Sequence, residues 1–242
     1  MKKPVLYIQS APDQKKTVWF DFCYSAQIGA QNCNIQVKKF SEWKDIPADP
    51  TNIIVGSVEM CKGWLQQYYT VPYAIDLSVF NKYLGRKIDT VLVKDLEYPT
   101  FIKPVIDVKA FTGFEAINES YVQIFAEGYT GHVWSQEIVD IVSEYRMYIT
   151  NNKILGMKHY SGDCLVFPDA KFIAECFEFS KTVLDYHSYA LDFGVLSDGR
   201  TILIEPNDGW AIGNYGLEPS LYYRFIRNRW LQLTGIRKRM DY

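Results

Sequence analysis

The sequence has little of what builds metal or redox centres. It holds three histidines (His132, His159, His187), spread without ligand-like spacing, and five cysteines with no Cys-x-x-Cys pair. An odd number of scattered thiols argues against a disulfide framework or a structural zinc site, and for reduced, buried thiols in a cytoplasmic protein. Long apolar runs are missing too. None approaches the ~20 residues of a membrane helix, and the first, Val5-Leu6-Tyr7-Ile8, has the length of a strand and is too short for a signal-peptide core. Charge of one sign is also lacking: 26 basic against 28 acidic residues leave a net charge of −2. Nothing in that balance asks for nucleic acid or an anionic membrane as partner.

What is present is apolar and aromatic. Of 242 residues, 48% are hydrophobic and 16% aromatic, with 18 tyrosines, enough for a well-filled core. Short apolar runs at residues 5–9, 35–37 and 52–55 alternate with helix-compatible stretches, the clearest being the amphipathic run 58–68. That alternation predicts a small open α/β unit. From about residue 77 the pattern becomes β-rich, with strand-like segments at 91–93, 100–103, 122–125, 133–142, 145–150, 154–160, 190–196 and 201–204. A helical period runs over 170–186, and a last helix over 219–233 starts on a proline and stops before Gly235. The expected organisation is residues 1–78 as a small α/β domain and residues 79–242 as a larger α+β domain.

The most informative stretch runs from Ala190 to Asn207. Asp198-Gly199 is a hairpin signal between two apolar runs. A turn centred on that pair sets Asp192 opposite Glu205, and Asn207 falls on the same face. Facing carboxylates repel; a divalent cation reverses the sign, and two carboxylates with an amide oxygen are hard ligands suited to Mg²⁺. The plain alternative is a solvated hairpin with two unrelated acids, ended by Pro206.

Two further segments carry basic groups in unusual places. Lys103, in Phe-Ile-Lys-Pro, ends an apolar strand, where a lysine calls for an anionic partner. Lys109 follows in a loop that reaches Gly113. In Ser143-Glu-Tyr-Arg-Met-Tyr148, Glu144, Arg146 and Tyr148 share one face, and Arg146 can fork onto phosphate or carboxylate oxygens. Lys158 lies on the next strand if Asn151-Asn152 makes the turn. A snorkelling strand-end lysine and an intrastrand Glu–Arg pair are the ordinary alternatives.

Taken together, Lys103-Pro104, Glu144-Tyr-Arg146 and Asp192 followed by Glu205-Pro-Asn207 resemble the ATP-grasp superfamily, and the phrases around them resemble its small bacterial and phage members. The resemblance runs from about residue 79 to 230. It implies an α+β ATP-grasp fold behind a small α/β domain, with ATP and Mg²⁺ as cofactors. Lys103, Lys109 and Arg146 would be catalytic, neutralising phosphate charge. Asp192, Glu205 and Asn207 would be the metal ligands. The adenine hinge would fall near residues 134–139, placing Gln136, Glu137 and Val139 at the nucleotide with Asp140 at the ribose, and Lys103, Lys109, Arg146 and Lys158 at the phosphates. The phosphate lysine that many members carry before the Lys-Pro strand has no clear counterpart; Arg86 and Lys94 are the stand-ins.

The implied activity is ADP-forming ligation: a substrate carboxylate is activated as an acyl-phosphate and attacked by an amine or thiol. Small-molecule or peptide carboxylates and amines would be the partners, with no membrane. The alternatives are a non-catalytic ATP-binding module and a nucleic-acid-linked ligase. The second draws on Arg224, Arg227, Arg229, Arg237, Lys238 and Arg239, which a solvated helix face and basic tail explain more simply.

Overall fold

The apolar N-terminal run becomes β1 (Val5–Gln9), the centre of a parallel sheet of order β2-β1-β3 in the computed structural model, which describes residues 3–10, 20–106 and 110–236. Parallel neighbours need a crossover. Helix α1 (Asp21–Asn32) supplies it before β2 (Gln36–Phe40), and β3 (Ile53–Val55) leads into α2 (Val58–Tyr68). Ser57, two residues past β3, caps α2, its hydroxyl accepting from the Met60 N–H at 3.3 Å.

Two four-stranded antiparallel sheets follow. One has the order β4-β7-β5-β6, built from β4 (Ile88–Leu92), β5 (Thr100–Pro104), β6 (Phe114–Ala116) and β7 (His132–Gln136), with α3 (Glu119–Phe125) beside β6. The other has the order β11-β10-β8-β9, from β8 (Ile141–Thr150), β9 (Lys153–Gly162), β10 (Ser188–Leu196) and β11 (Thr201–Asp208). Its β9-to-β10 connection contains α4 (Ala170–Val183), and α5 (Pro219–Leu233) ends the described fold. The architecture is α+β, as expected.

Several local expectations need correction. The strand-like run 122–125 is the end of α3: Asn118 accepts from the Ser120 N–H at 3.0 Å, a cap that the Val-Gln-Ile-Phe run did not reveal. The run 133–142 is two strands in two different sheets, parted at residues 137–140, where the Glu137 N–H leaves the apolar pattern to bond the Lys87 carbonyl at 2.8 Å. The helical period over 170–186 stops at Val183, because Leu184 is already extended. Pro206 does not end its strand; β11 is an edge strand, where a missing N–H is tolerated, and it continues to Asp208.

The core of the parallel sheet is not closed by its own segment. Leu6, Ile8, Ile53, Trp64 and Leu65 share one apolar cluster with Tyr222, Phe225, Ile226 and Trp230 of α5, and with Tyr148 and Ala190 of the β11-β10-β8-β9 sheet. Helices α1 and α5 approach so closely at Gly29 that an added Cβ would lie 2.0 Å from the Pro219 carbonyl oxygen. We propose that residues 1–78 form a sequence unit whose folding depends on α5. Among the described residues no helix is long and apolar enough to cross a membrane.

Trp230 is the centre of that junction. It is fully buried, meets the Trp64 ring edge-on at 5.9 Å, and donates from its indole N–H to the Trp210 carbonyl at 3.0 Å. Trp230→Ala is expected to destabilise the protein by about 3–5 kcal/mol, read from the urea midpoint at unchanged slope. A loss below about 1 kcal/mol, the scale of an ordinary surface change, would show that α5 does not close this core.

Candidate functional site

Four charged residues stand in one row across the β11-β10-β8-β9 sheet. Glu205 pairs with Asp192, Asp192 with Arg146, and Arg146 with Lys158. Directly opposed residues share a face, so the row reads minus, minus, plus, plus. Two irregularities create it. The hairpin after β10 is one residue longer than a two-residue turn, with Leu196 N–H bonding the Arg200 carbonyl at 2.8 Å and Gly199 at φ +85°. That turn pairs Val195 with Thr201, and a β-bulge that leaves Ile204 over restores Asp192 opposite Glu205. The β8–β9 hairpin turns on Asn151 and Asn152, both left-handed, as a tight primed turn requires. A bulge at Leu155 then moves Lys158, instead of Met157, opposite Arg146.

The negative end of the row is held by cations. Arg146 forks onto Asp192, with Nε to Oδ1 at 2.7 Å and Nη2 to Oδ2 at 2.6 Å. Lys103, from β5 of the facing sheet, ion-pairs with Glu205. The Asn207 amide nitrogen sits between the carboxylates, 3.1 Å from Asp192 Oδ2 and 3.3 Å from Glu205 Oε1. Burial pushes the Asp192 carboxyl up to about 6, only partly opposed by Arg146. Burial also works against the Arg146 charge, but the hydrogen bonds and attraction from Asp192 outweigh it and raise the guanidinium above its ordinary value. The two shifts pull opposite ways on the pair's ionisation; the forked geometry decides for an ionised pair at neutral pH. In Glu205 burial raises the carboxyl, and Lys103 more than offsets it, leaving it below the usual range.

Glu205 and Asn207 open onto a cavity of about 480 Å³ between the two antiparallel sheets, a size suited to a small-molecule ligand. Lys103, Phe101 and Trp134 line it from one sheet, Ile204 and Glu205 from the other, and Gln136, Glu137, Ile138 and Val139 from the crossing between them. Of the expected nucleotide contacts, Lys103, Gln136, Glu137 and Val139 therefore meet at this cavity. Arg146 and Lys158 do not line it; they continue the charged row beyond Asp192. Asp140 does not line it either: it is exposed, and its carbonyl accepts from the Ser197 N–H at 3.0 Å. Lys109 lies outside the described residues.

Arg86, one of the two stand-ins for the phosphate lysine, lines the cavity, with its donors bound within the protein. Its five N–H donors go to the Gln136 side chain (3.1 and 2.7 Å) and to the carbonyls of Leu84 (3.0 Å), Leu203 (2.9 Å) and Ile204 (2.8 Å). It thus ties the edge of β11 to β7, and occupies the Gln136 side chain as well. Burial lowers its pKa to about 10, against the pull of Glu205 and Glu137. Lys94 is exposed and does not line the cavity. The sequence reading missed this staple, whose only signal was an arginine two residues before a strand. The loop 208–216 and the segment 160–163, both of which the sequence offers as candidate substrate-facing edges, supply Tyr215 and Tyr160, which stack near Arg146.

The donor set suits a hard divalent cation. Two carboxylates and one amide converge, and a half-turn of the Asn207 amide would present oxygen in place of nitrogen. Among the described residues no third histidine, cysteine or carboxylate joins them.

A family model described as "ATP-grasp domain, R2K clade family 2" matches residues 83–225, more than half of the chain. A search among curated proteins finds no match. Solved structures with a similar fold include N5-carboxyaminoimidazole synthetase from Staphylococcus aureus, at a TM-score of 0.58 and 10% identity over 94% of this chain and 77% of that one. They include an ATP-grasp RimK domain protein from Sphaerobacter thermophilus, at 0.56 and 10% over 92% and 99%. D-alanine–D-alanine ligase from Bacillus anthracis, complexed with ATP, matches at 0.53 and 11% over 98% and 99%.

Of the described C-terminal arginines, Arg227 donates to the Asn228 side chain at 3.2 Å and Arg229 is fully engaged, while the buried Arg224 Nε has no hydrogen-bond partner among the described residues. Arg229 is buried, forks onto Asp208 with two contacts of 2.6 Å, and lies 4.2 Å from the Tyr186 ring centre. Arg237, Lys238 and Arg239 lie outside the described residues. Burial raises the Asp208 carboxyl even against Arg229. Arg229→Met strands that carboxylate and is expected to cost about 3–5 kcal/mol at pH 7. A carboxyl whose folded pKa lies above its unfolded value costs stability above the folded pKa and regains it as pH falls towards the unfolded one. The deficit should therefore shrink on acidification, measured as denaturant midpoints of wild type and variant at each pH. A deficit independent of pH would sink the account.

Proposed function

The chain belongs to family 2 of the R2K clade of ATP-grasp domains, and from that membership we propose that it is an ATP-dependent ligase that activates a carboxylate for attack by an amine or thiol. The observation that carries the reading is the charged row: Glu205 and Asn207 at the cavity, Asp192 paired with Glu205 just behind them, Lys103 reaching over from the facing sheet, and Arg146 adjoining Asp192.

The nucleotide would lie in the 480 Å³ cavity, with its base against Phe101, Trp134 and the backbone of residues 136–139, and its phosphates towards Lys103 and Glu205. The substrate carboxylate oxygen attacks the γ-phosphorus, the bond to the β-phosphate oxygen breaks, and ADP leaves. The amine nitrogen or thiol sulfur then attacks the acyl carbon, phosphate departs with the C–O electron pair, and the nucleophile loses a proton. Phosphoryl transfer depends mainly on position and charge neutralisation. Lys103 and Arg146 would supply fixed positive charge on the two sides of the acids. Asp192, Glu205 and Asn207 would hold Mg²⁺, which when bound neutralises phosphate charge. No side-chain nucleophile is needed, and the buried thiols Cys23, Cys61 and Cys176 take no part; burial pushes Cys23 and Cys176 up to about 12 and Cys61 still higher.

The names of the structural neighbours support the same class: a synthetase and a D-alanine–D-alanine ligase share this fold. A ligand at 100 times its dissociation constant adds about 2.7 kcal/mol to the folded state. Thermal unfolding should therefore shift with ATP and Mg²⁺ together, and far less with ATP plus EDTA or Mg²⁺ alone. Asp192→Asn and Glu205→Gln should each reduce ADP release by about 100-fold or more. No shift at saturating ATP would remove the nucleotide from the reading; full turnover in both variants would remove the metal assignment.

A further inference from the structure

Beyond Asp192 the sheet face carries a second group of polar side chains that nucleotide binding does not use. Lys158 is half-buried beside Arg146 and makes no ion pair among the described residues. Glu144, two residues before Arg146 on the same face, is half-buried and accepts one hydrogen bond, from the Tyr160 hydroxyl at 2.7 Å. Tyr160 is itself a bulge residue: Tyr145 pairs with His159 and Glu144 with Ser161, so Tyr160 is left over and its ring is turned towards Arg146, 5.7 Å from the guanidinium. Glu144 and Lys158 thus flank the Asp192-bound Arg146 without an ion pair of their own among the described residues.

Tyr215 covers this group. Its ring stacks on Tyr160 (centroids 4.6 Å apart, planes 15° apart) and lies 4.7 Å from the Arg146 guanidinium. The connection that carries it is pinned on one side of the tip: the Trp210, Ile212 and Gly213 carbonyls accept from Trp230, Tyr222 and Tyr148 at 3.0, 2.6 and 2.8 Å. On the other side Leu217 is buried. Between them residues 214–216 form a turn in which Tyr215 is 44% exposed and adopts φ +44°, a conformation costly for an aromatic residue. What holds the ring down is the stack on Tyr160 and the contact with Arg146, both partly exposed aromatic contacts. A substrate group can displace it.

We propose that the face under Tyr215 is the subsite for the acid to be activated, that this acid is a free α-amino acid, and that Tyr215 is the cover that sets which side chains are accepted. The carboxylate would meet Arg146 and Lys158, next to the phosphate end of the row, and the ammonium would meet Glu144. Residues two apart on a strand are separated by roughly 6.6 Å, so one small zwitterion can touch both. An acid without the ammonium would leave Glu144 facing Arg146 with no cation of its own. The side chain would pass under the Tyr160–Tyr215 pair. The proposal rests on the carboxylate-activation reading above.

The test uses the full chain with Mg-ATP and hydroxylamine as the attacking amine, scoring hydroxamate and ADP for each common free amino acid and for its N-acetyl and α-amide derivatives. At least one free amino acid should give hydroxamate, and N-acetylation should weaken it by about tenfold or more, the scale of a lost charged hydrogen bond. Glu144→Gln should raise the KM for that amino acid by a similar factor while the ATP-and-Mg²⁺ thermal shift persists. Tyr215→Ala should change the rate ratios among amino acids by about fivefold or more, and Tyr215→Phe should restore them. If the thermal shift is present but no free amino acid reacts, or N-acetyl forms react equally, or Tyr215→Ala leaves the ratios unchanged, the amino-acid subsite is wrong. If the thermal shift itself is missing, the ligase reading falls with it.

Discussion

Two carboxylates facing each other on a largely buried sheet would repel, and the structure supplies each with its own cation from a different place. Asp192 is answered from the neighbouring strand by Arg146, and Glu205 from the opposite sheet by Lys103. The second contact matters beyond its own energy, because it exists only when the two antiparallel sheets face one another across the cavity. Losing one partner of a buried ion pair costs about 3–5 kcal/mol, a large share of a domain's net stability.

Arg86 and the Lys103–Glu205 pair join the same two sheets at different points. Arg86 does so through carbonyls on the β11 edge and the Gln136 amide oxygen, contacts that no phosphate is needed to complete. Lys103 does so through a charge that phosphate oxygens can compete for. One junction is made of neutral groups around a guanidinium and the other of an ion pair, and both border the cavity.

The C-terminal helix reaches the site as well as the core. Trp230 holds the Trp210 carbonyl, Tyr222 holds Ile212, and Arg229 holds Asp208, the residue after Asn207. The strand that carries Glu205 and Asn207 is thereby anchored at its far end by the helix that also closes the parallel sheet. The tip at Tyr215 is left as the loosely held part of an otherwise pinned connection, which is what the proposed substrate cover requires.

Short-range chemistry was legible in the sequence. The Asp-Gly and Asn-Asn turns, the proline-started last helix, the strand that ends in Lys103, and the shared face of Glu144, Arg146 and Tyr148 all follow from residue type and local spacing. The resemblance to ATP-grasp proteins rested on those same segments. Asp192 was correctly set opposite Glu205, though from a shorter turn than the one present; the bulge at Ile204 made up the difference. Side chains alternate with a period of two, so one inserted residue changes which of them face each other, and hydropathy does not show where it is inserted. Only the tertiary structure decided that Lys158 stands beside Arg146, that Lys103 meets a glutamate 102 residues away, that Arg86 is a brace, and that α5 completes the N-terminal core. Those outcomes depend on how separate sheets and helices dock, and docking is governed by contacts between residues far apart in the chain.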